Sequence, residues 1–427
     1  MKSLYLPILL CVGILNSCQH QQGESITNPQ DYNAYLSVDK ADTTSKYFRL
    51  WNSKITPDST QLISFGFVAG EYNRYFRETG KIEYLKKAEQ ALEKAVEIAA
   101  IGKASYDRAL ARNYISQHRF REALELANAA RDFGSGVKQS QYLLYDIHLE
   151  LGNYSLAEKY LDSIRNFSNF GYLIRLAKYN DHLGDQEKAI TIMEKATHKA
   201  EEAKNPGLML WTYTNLADYY GHAGRVAESY RYYLKSLALD PANAHAKKGI
   251  AWIVFSYEKN PSEALRILDS VTQAYEAPDY YLLKAEIASY MGDESRKSGN
   301  RDDYFRKLRN PAYGDMYNAY SANYYLEEGG PYDRAISLAR TEVKNRPTPK
   351  SYDLLAYSLY KNGQQEAAGD LVKEHLLGKT SEPSALLHMA EILKATGESD
   401  KVGPLKTRLL GSLYELGPAR EDRVRNL

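Results

Sequence analysis

The sequence predicts an all-α fold, an α-solenoid of stacked antiparallel helix pairs. Three observations lead there. The stretch 211–241, WTYTNLADYYGHAGRVAESYRYYLKSLALDP, reads as two short helices and a stop. Tyr213, Leu216, Ala217 and Tyr220 fall on one helical face, a turn follows at Ala223-Gly224-Arg225, Ser229 and Tyr233 sit four apart on a second face, and Pro241 ends the unit. The same pattern then recurs almost end to end. Finally, 427 residues are too many for one ordinary core, so several domains or a repeat array are required. A two-helix unit of about 34 residues cannot bury its apolar face alone and must stack on its neighbours.

In chain order, Met1-Lys2 gives a short positive start. Leu4 to Leu15 is an apolar run of roughly a dozen residues, too short to span a bilayer permanently. Leu15-Asn16-Ser17-Cys18 follows and resembles a bacterial lipobox. That resemblance implies a signal peptide over 1–17, cleavage after Ser17 and acylation of Cys18. Several acyl chains would hold firmly, because each buried methylene contributes about 0.8 kcal/mol. Gln19 stands where Asp would retain a lipoprotein in the inner membrane, so the implied place is the outer membrane. QHQQGES lacks the acidic cluster of displayed lipoproteins, which favours the periplasmic side and leaves display outside open. Residues 18–60 are expected to be tether and cap. The part from 19 to 30 reads as flexible, and Tyr32 to Trp51, with Tyr35, Tyr47 and Phe48, as a helix or two capping the array. Pro57-Asp58-Ser59-Thr60 reads as a turn and helix start.

Residues 61–411 carry about ten repeats, marked by small residues and turn glycines. Phe65, Ala69, Tyr72, Ala88, Leu92 and Ala95 mark the first, around Gly80, and Ala111, Tyr114, Phe120, Ala123 and Ala127 the second. Leu144, Gly152, Tyr154, Ala157 and Leu161 mark the third, and Leu176, Ala177, Gly184, Ala189 and Met193 the fourth. The stretch from Trp211 is the fifth. Ala251, Phe255, Ala264 and Leu268 mark the sixth, with Asn260-Pro261 in place of the glycine. Leu283, Ala285, Gly292 and Tyr304 to Leu308 mark a stretched seventh, read with an insertion at Glu294–Asp303. Tyr320, Tyr324, Gly330, Ala335 and Ala339 mark the eighth, and Leu355, Ala356, Gly363 and Ala368 the ninth. Met389, Ala390, Leu393, Gly397 and Val402 mark the tenth. The polar tail 412–427 is expected to fray.

This spacing resembles the tetratricopeptide repeat, with Tyr for Trp at the first place, Ala for Gly and Ser for Ala in the fifth unit. The resemblance implies a superhelix whose first helices line a concave surface. It also implies a scaffold that binds proteins or peptides and does no chemistry. Composition agrees with that expectation. Lys+Arg 55 against Asp+Glu 54 leaves no basic field for nucleic acid. The two cysteines, Cys11 and Cys18, lie at the N-terminus, which excludes disulfides and Cys-based metal sites elsewhere. Tyr numbers 37 against 3 Trp and 10 Phe, so Tyr is expected to fill the aromatic packing places with its hydroxyl at the solvent edge. GxGxxG after a strand, GxxxxGK[ST], HExxH and GxSxG are all missing, so neither an enzyme nor a cofactor is expected.

Candidate partner-binding residues follow from the same register, as those on first helices not used in packing. They are Arg108 and Arg112 with Ile115 and Ser116, Tyr142 and Asp146 with Leu149 and Glu150, Lys178, Asp181 and His182 with Ile174, and Trp211, Thr214, Asp218 and His222 with Gly221. Trp211 is either a partner anchor or packed on Asn205-Pro206-Gly207. The chaperone-tail clamp of the family needs Lys and Asn on successive first helices, whereas Arg108, Asp146 and Asp218 stand here. The expected function is a membrane-tethered envelope adaptor binding a protein or peptide. The alternative is a periplasmic binding protein for a metal or small solute, using Asp181, His182, Asp218 and His222. The blander reading of that group is solvated helix-end residues.

Overall fold

The computed structural model describes residues 25–37, 45–56 and 60–427. The apolar leader, Cys18 and the turn residues 57–59 lie outside the described residues. All described regular structure is helical, and consecutive helices pack as antiparallel pairs in an α-solenoid. Ahead of the array come α1 (Pro29–Leu36) and α2 (Lys46–Asn52). The first pairs are α3 (Leu62–Thr79) with α4 (Ile82–Ile98), α5 (Lys103–Ser116) with α6 (Phe120–Asp132), and α7 (Val137–Glu150) with α8 (Tyr154–Ser163). Next are α9 (Phe170–His182) with α10 (Gln186–Glu202), α11 (Pro206–His222) with α12 (Val226–Leu239), and α13 (Ala244–Trp252) with α14 (Pro261–Thr272). Then come α15 (Asp279–Tyr290) with α16 (Glu294–Lys307), and α17 (Asn318–Glu327) with α18 (Tyr332–Asn345). The last pairs are α19 (Pro349–Lys361) with α20 (Gln365–Leu371), and α21 (Pro383–Ala395) with α22 (Val402–Leu410). Short helices α23 (Leu413–Leu416) and α24 (Glu421–Arg425) close the chain.

The small residues do what their spacing requires. Ala111, Ala123, Ala157, Ala177, Ala217, Ala264 and Ala335 are fully buried, so paired helices meet closely over them. Apolar side chains of successive pairs fill the space between. Glu294–Asp303, expected as an insertion, is instead most of α16, the second helix of its pair. That helix is polar along its length and docks through Tyr304, which is fully buried and bonds Ser321 Oγ at 2.8 Å.

The superhelix closes on itself. Ile82 and Leu85 of α4 share a core with Tyr313 and Met316, just before α17. The Glu276 amide donates to the Thr79 carbonyl at 2.8 Å. Arg346, after α18, reaches Glu150 of α7 at 3.4 Å. Gly152 ends α7 at φ 74°, and a Cβ there would lie 2.8 Å from the Pro347 carbonyl oxygen. Glycine is required at that place twice over, for the turn and for the close approach.

Both ends differ from expectation. α2 does cap the array, with Phe48 edge-on to Tyr72 and Tyr75 and Trp51 stacked on Phe67 at 4.9 Å. By contrast, α1 docks far along the chain on α12 and α14. Tyr32 is 1% exposed there and donates to Glu263 at 2.7 Å. Residues 25–30, inside the expected tether, are pinned as well. The buried Glu258 carboxylate accepts from the Ile26 and Thr27 amides at 2.8 and 2.6 Å and from Thr27 Oγ1 at 3.0 Å. Glu258→Ala removes the acceptor of all three hydrogen bonds and leaves those donors unpaired. We expect residues 25–37 to become protease-sensitive at temperatures where the array stays folded, read by limited proteolysis and mass spectrometry. The tail does not fray either. Leu416 and Val424 are buried, and 413–425 runs back along the inner face as an arm.

Candidate functional site

The first helices of the pairs face inward, and their polar side chains form a ladder. In α7 and α9, Asp146 pairs with Arg175 at 2.5 Å and Glu150 with Lys178 at 2.9 Å. Tyr142 bonds Asn169 at 2.5 Å under the Arg175 guanidinium, which sits 4.4 Å from its ring. Arg112 lies near Asp146. Burial, and then the neighbouring Arg108, pull its pKa down. Arg108 itself corrects the sequence reading. It is 9% exposed and donates to the Ser135 carbonyl at 2.9 Å and Ser140 Oγ at 3.3 Å, so it fastens the turn before α7. Thr214 satisfies its hydroxyl on the Leu210 and Trp211 carbonyls. Trp211 is 41% exposed, with its ring edge-on to Phe170 at 6.4 Å.

Asp218 stands apart from the other three members of the His/Asp group. Asp218 faces Tyr233 and His245, accepting at 2.5 and 2.9 Å. One turn on, His222 faces the arm, with Nδ1 3.1 Å from Glu415. His182 lies over Tyr154, ring centres 4.2 Å apart, and its pKa is lowered by burial and by Lys178. Among the described residues no three His, Cys, Asp or Glu side chains are placed to hold a metal ion. The metal form of the alternative is thereby corrected. Asp218, His222 and His182 already have different partners.

Asp181, His182 and His222 line a cavity of about 190 Å³, closed by Thr348–Lys350, Lys379–Pro383 and Glu415. Burial pushes the Asp181 carboxyl up, opposed by His222 and reinforced by Glu382 and Glu415. For His222, burial opposes the charge. Its hydrogen bond with Glu415 and the charges of Glu415, Asp181 and Asp218 outweigh that and raise its pKa to about 9. A histidine raised above its unfolded pKa of about 6.5 gives its full stabilisation below that pH and loses it as pH rises through the folded value. Its side chain is 46% exposed, so solvent screens part of the effect. We expect amide exchange of residues 412–417 to accelerate between pH 7 and pH 10 beyond the intrinsic rate, and His222→Gln to flatten that excess.

A larger cavity, missed in the sequence, lies further along. It holds about 730 Å³ between α11, α13, α15, α17 and the arm. Lys248 and Asp279 pair across it at 2.6 Å, and Arg420 of the arm meets Glu286 at 2.8 Å. Trp252, Leu282, Leu283, Tyr320 and Tyr324 supply apolar wall. Lys248, Asp279, Glu286 and Glu327 stand on first helices, so the inward register of the earlier pairs, carried past residue 241, would have found them. Nothing in the sequence points to Arg420.

Comparison with known proteins bears on the pair at the edge of this cavity. Residues 212–243 match the tetratricopeptide repeat family model. The matched span covers the last two-thirds of α11 and all of α12. No curated protein matches the chain. Among solved structures, yeast Tom70 aligns at 13% identity over 85% of this chain and 93% of that one, with a TM-score of 0.37. A human IFIT1 dimer with PPP-AAAA aligns at 13% identity over 88% and 96%, with a TM-score of 0.44. A tetratricopeptide repeat protein from Parabacteroides merdae aligns at 14% identity over 60% and 96%, with a TM-score of 0.35.

Proposed function

We propose that this chain is a tetratricopeptide-repeat scaffold that binds a peptide or a protein segment on its inner face and performs no chemistry itself. The observation carrying this reading is the cavity of about 730 Å³ walled by the inward helices of successive pairs. Its size lies within the usual range for a ligand site, and its walls mix apolar and aromatic surface with a few charged groups. The exposed Trp211 adds a contact at the outer edge in this reading. A photoreactive amino acid at Asn323, an exposed cavity residue, should cross-link a protein or peptide partner in cells. No adduct from that position sinks the reading.

The scaffold is, in this proposal, a lipoprotein of the bacterial outer membrane facing the periplasm. The lipobox resemblance at Leu15-Asn16-Ser17-Cys18 supports it. No described helix is long and apolar enough to cross a membrane. In this reading lipid on Cys18 provides the attachment. Cys18→Ser should move the protein to the soluble fraction, and retention with the membranes would overturn the anchor.

A further inference from the structure

The N-terminal end of the array carries an apolar face that stays open to solvent. On α2, Tyr47, Leu50, Trp51 and Lys54 recur at helical spacing along one side, while Phe48 turns inward onto Tyr72 and Tyr75. Trp51 lies flat on Phe67, and Ile63 stands one turn before Phe67 on α3. Tyr47, Leu50, Ile63 and Phe67 are exposed even so. Ile55, Leu62 and Ile98 pack against one core, where α2 ends, α3 begins and α4 ends. Ile101, three residues past Ile98, is 86% exposed. Single exposed apolar residues are ordinary, but a gathering of large ones marks a contact surface.

The charge on this face has one sign. Residues 45–56 carry Lys46, Arg49 and Lys54 and no acid. The Lys46 ammonium lies 5.2 Å from the Tyr47 ring centre, and that of Lys54 lies 4.4 Å from the Trp51 ring centre. The acids of α3 are taken, since Arg74 holds Glu71 and Glu78 at 2.8 Å each and Ser45 Oγ also donates to Glu71. Glu97, near the end of α4, pairs with Lys94 at 3.0 Å. Aromatic rings with ammonium groups beside them suit the boundary between lipid headgroups and acyl chains. The ring enters the apolar side and the cation meets phosphate. A second copy of the chain fits less well, because a two-fold pairing of this face sets its cations against their own copies.

We propose that this face rests on an anionic phospholipid bilayer, with Leu50, Trp51, Ile63 and Phe67 at the acyl boundary and Lys46, Arg49 and Lys54 on headgroup phosphates. The inference stands on α2 and α3 and does not need lipid on Cys18. A face of this size binds reversibly, so it orients the scaffold against the bilayer and does not retain it through washing.

The full chain is mixed with vesicles of phosphatidylcholine brominated on its acyl chains, with and without phosphatidylglycerol. Bromine quenches indoles that enter the acyl region, and the chain has three, Trp51, Trp211 and Trp252. Insertion of the leader or of an acyl anchor alone therefore gives no signal. Emission should fall when phosphatidylglycerol is present, the fall should weaken with salt, and Trp51→Phe should abolish it. Leu50→Glu should reduce the quenching at least about three-fold with the melting temperature unchanged. Leu156→Glu, at an exposed apolar position on α8, should leave it as it was.

No quenching, or quenching that survives Trp51→Phe, overturns the inference, and fractionation of Cys18→Ser then still decides the anchor by itself. Equal quenching without phosphatidylglycerol overturns the role given to the cations. A dimer that Leu50→Glu dissolves, found without quenching, overturns the lipid contact and gives the face to a second copy.

Discussion

Deleting residues 412–427 should cost the protein about 4 kcal/mol, because Leu416 and Val424 alone each bury about 2 kcal/mol of apolar side chain. The charge left behind adds to this. The Glu327 pKa is lowered in the intact chain. Burial opposes that, but Arg420 and Arg423 outweigh it. Without the arm, Glu286, Glu327 and Glu391 keep their places and lose those cations, and an uncompensated charge in a partly enclosed place is destabilising. Trp252 Nε1 and Ser256 Oγ lose their acceptor together. The loss should be local, since each pair of a helical array leans mainly on its neighbours. Hydrogen exchange should quicken most in α13, α15 and α19–α22, and least in α5 and α6. Uniform loss of protection would mean the array unfolds as one body. Unchanged protection in α21 and α22 would mean the arm rests on the surface without supporting it.

The contrast between this arm and the pairs explains what could be read in advance. Ala217, Tyr220, Gly224 and Tyr233 are legible because each answers a partner within about one repeat, so the period itself encodes the contact. α16 was misread because its only strong apolar signal, Tyr304-Phe305, comes near its end, while Glu294–Asp303 looks like a polar loop. The contacts of Glu258 with Thr27, of Tyr414 with Trp252 and of Arg346 with Glu150 join residues far apart in sequence. No periodic pattern predicts them. The candidate site divides along the same line. Asp146, Lys178, Asp181 and Asp218 were reachable from the register of first helices. Arg108 was misplaced because the glycine turn ahead of α7 leaves room for its guanidinium, and that room depends on how two units pack. The closing wall, from Thr348 and Glu382 to Arg420, comes from units that the superhelix brings round, and one unit's sequence carries no sign of its curvature.

Gly249→Ala should destabilise the array by about 2 kcal/mol, against the ordinary expectation for a glycine inside a helix. Alanine at such a place normally gains about 1 kcal/mol from propensity. Here a Cβ would lie 2.6 Å from Tyr233 Cε1, with two other ring atoms closer still. The ring cannot easily give way. Tyr233 is 6% exposed, and its hydroxyl bonds Asp218 at 2.5 Å. Either α13 moves off α12 or that hydrogen bond breaks, and overpacking of this kind typically costs about 1–3 kcal/mol. The second outcome would also leave Asp218, in the wall of the large cavity, to His245 alone. The double variant Gly249→Ala with Tyr233→Leu separates clash from propensity. If the ring is the obstacle, the two substitutions should be less damaging together than their separate losses imply, with a coupling of about 1 kcal/mol or more. Additive losses in thermal or urea melts would place the requirement for glycine in the backbone of α13 instead. Its helical φ and its close contact with the Tyr233 ring both argue against that outcome.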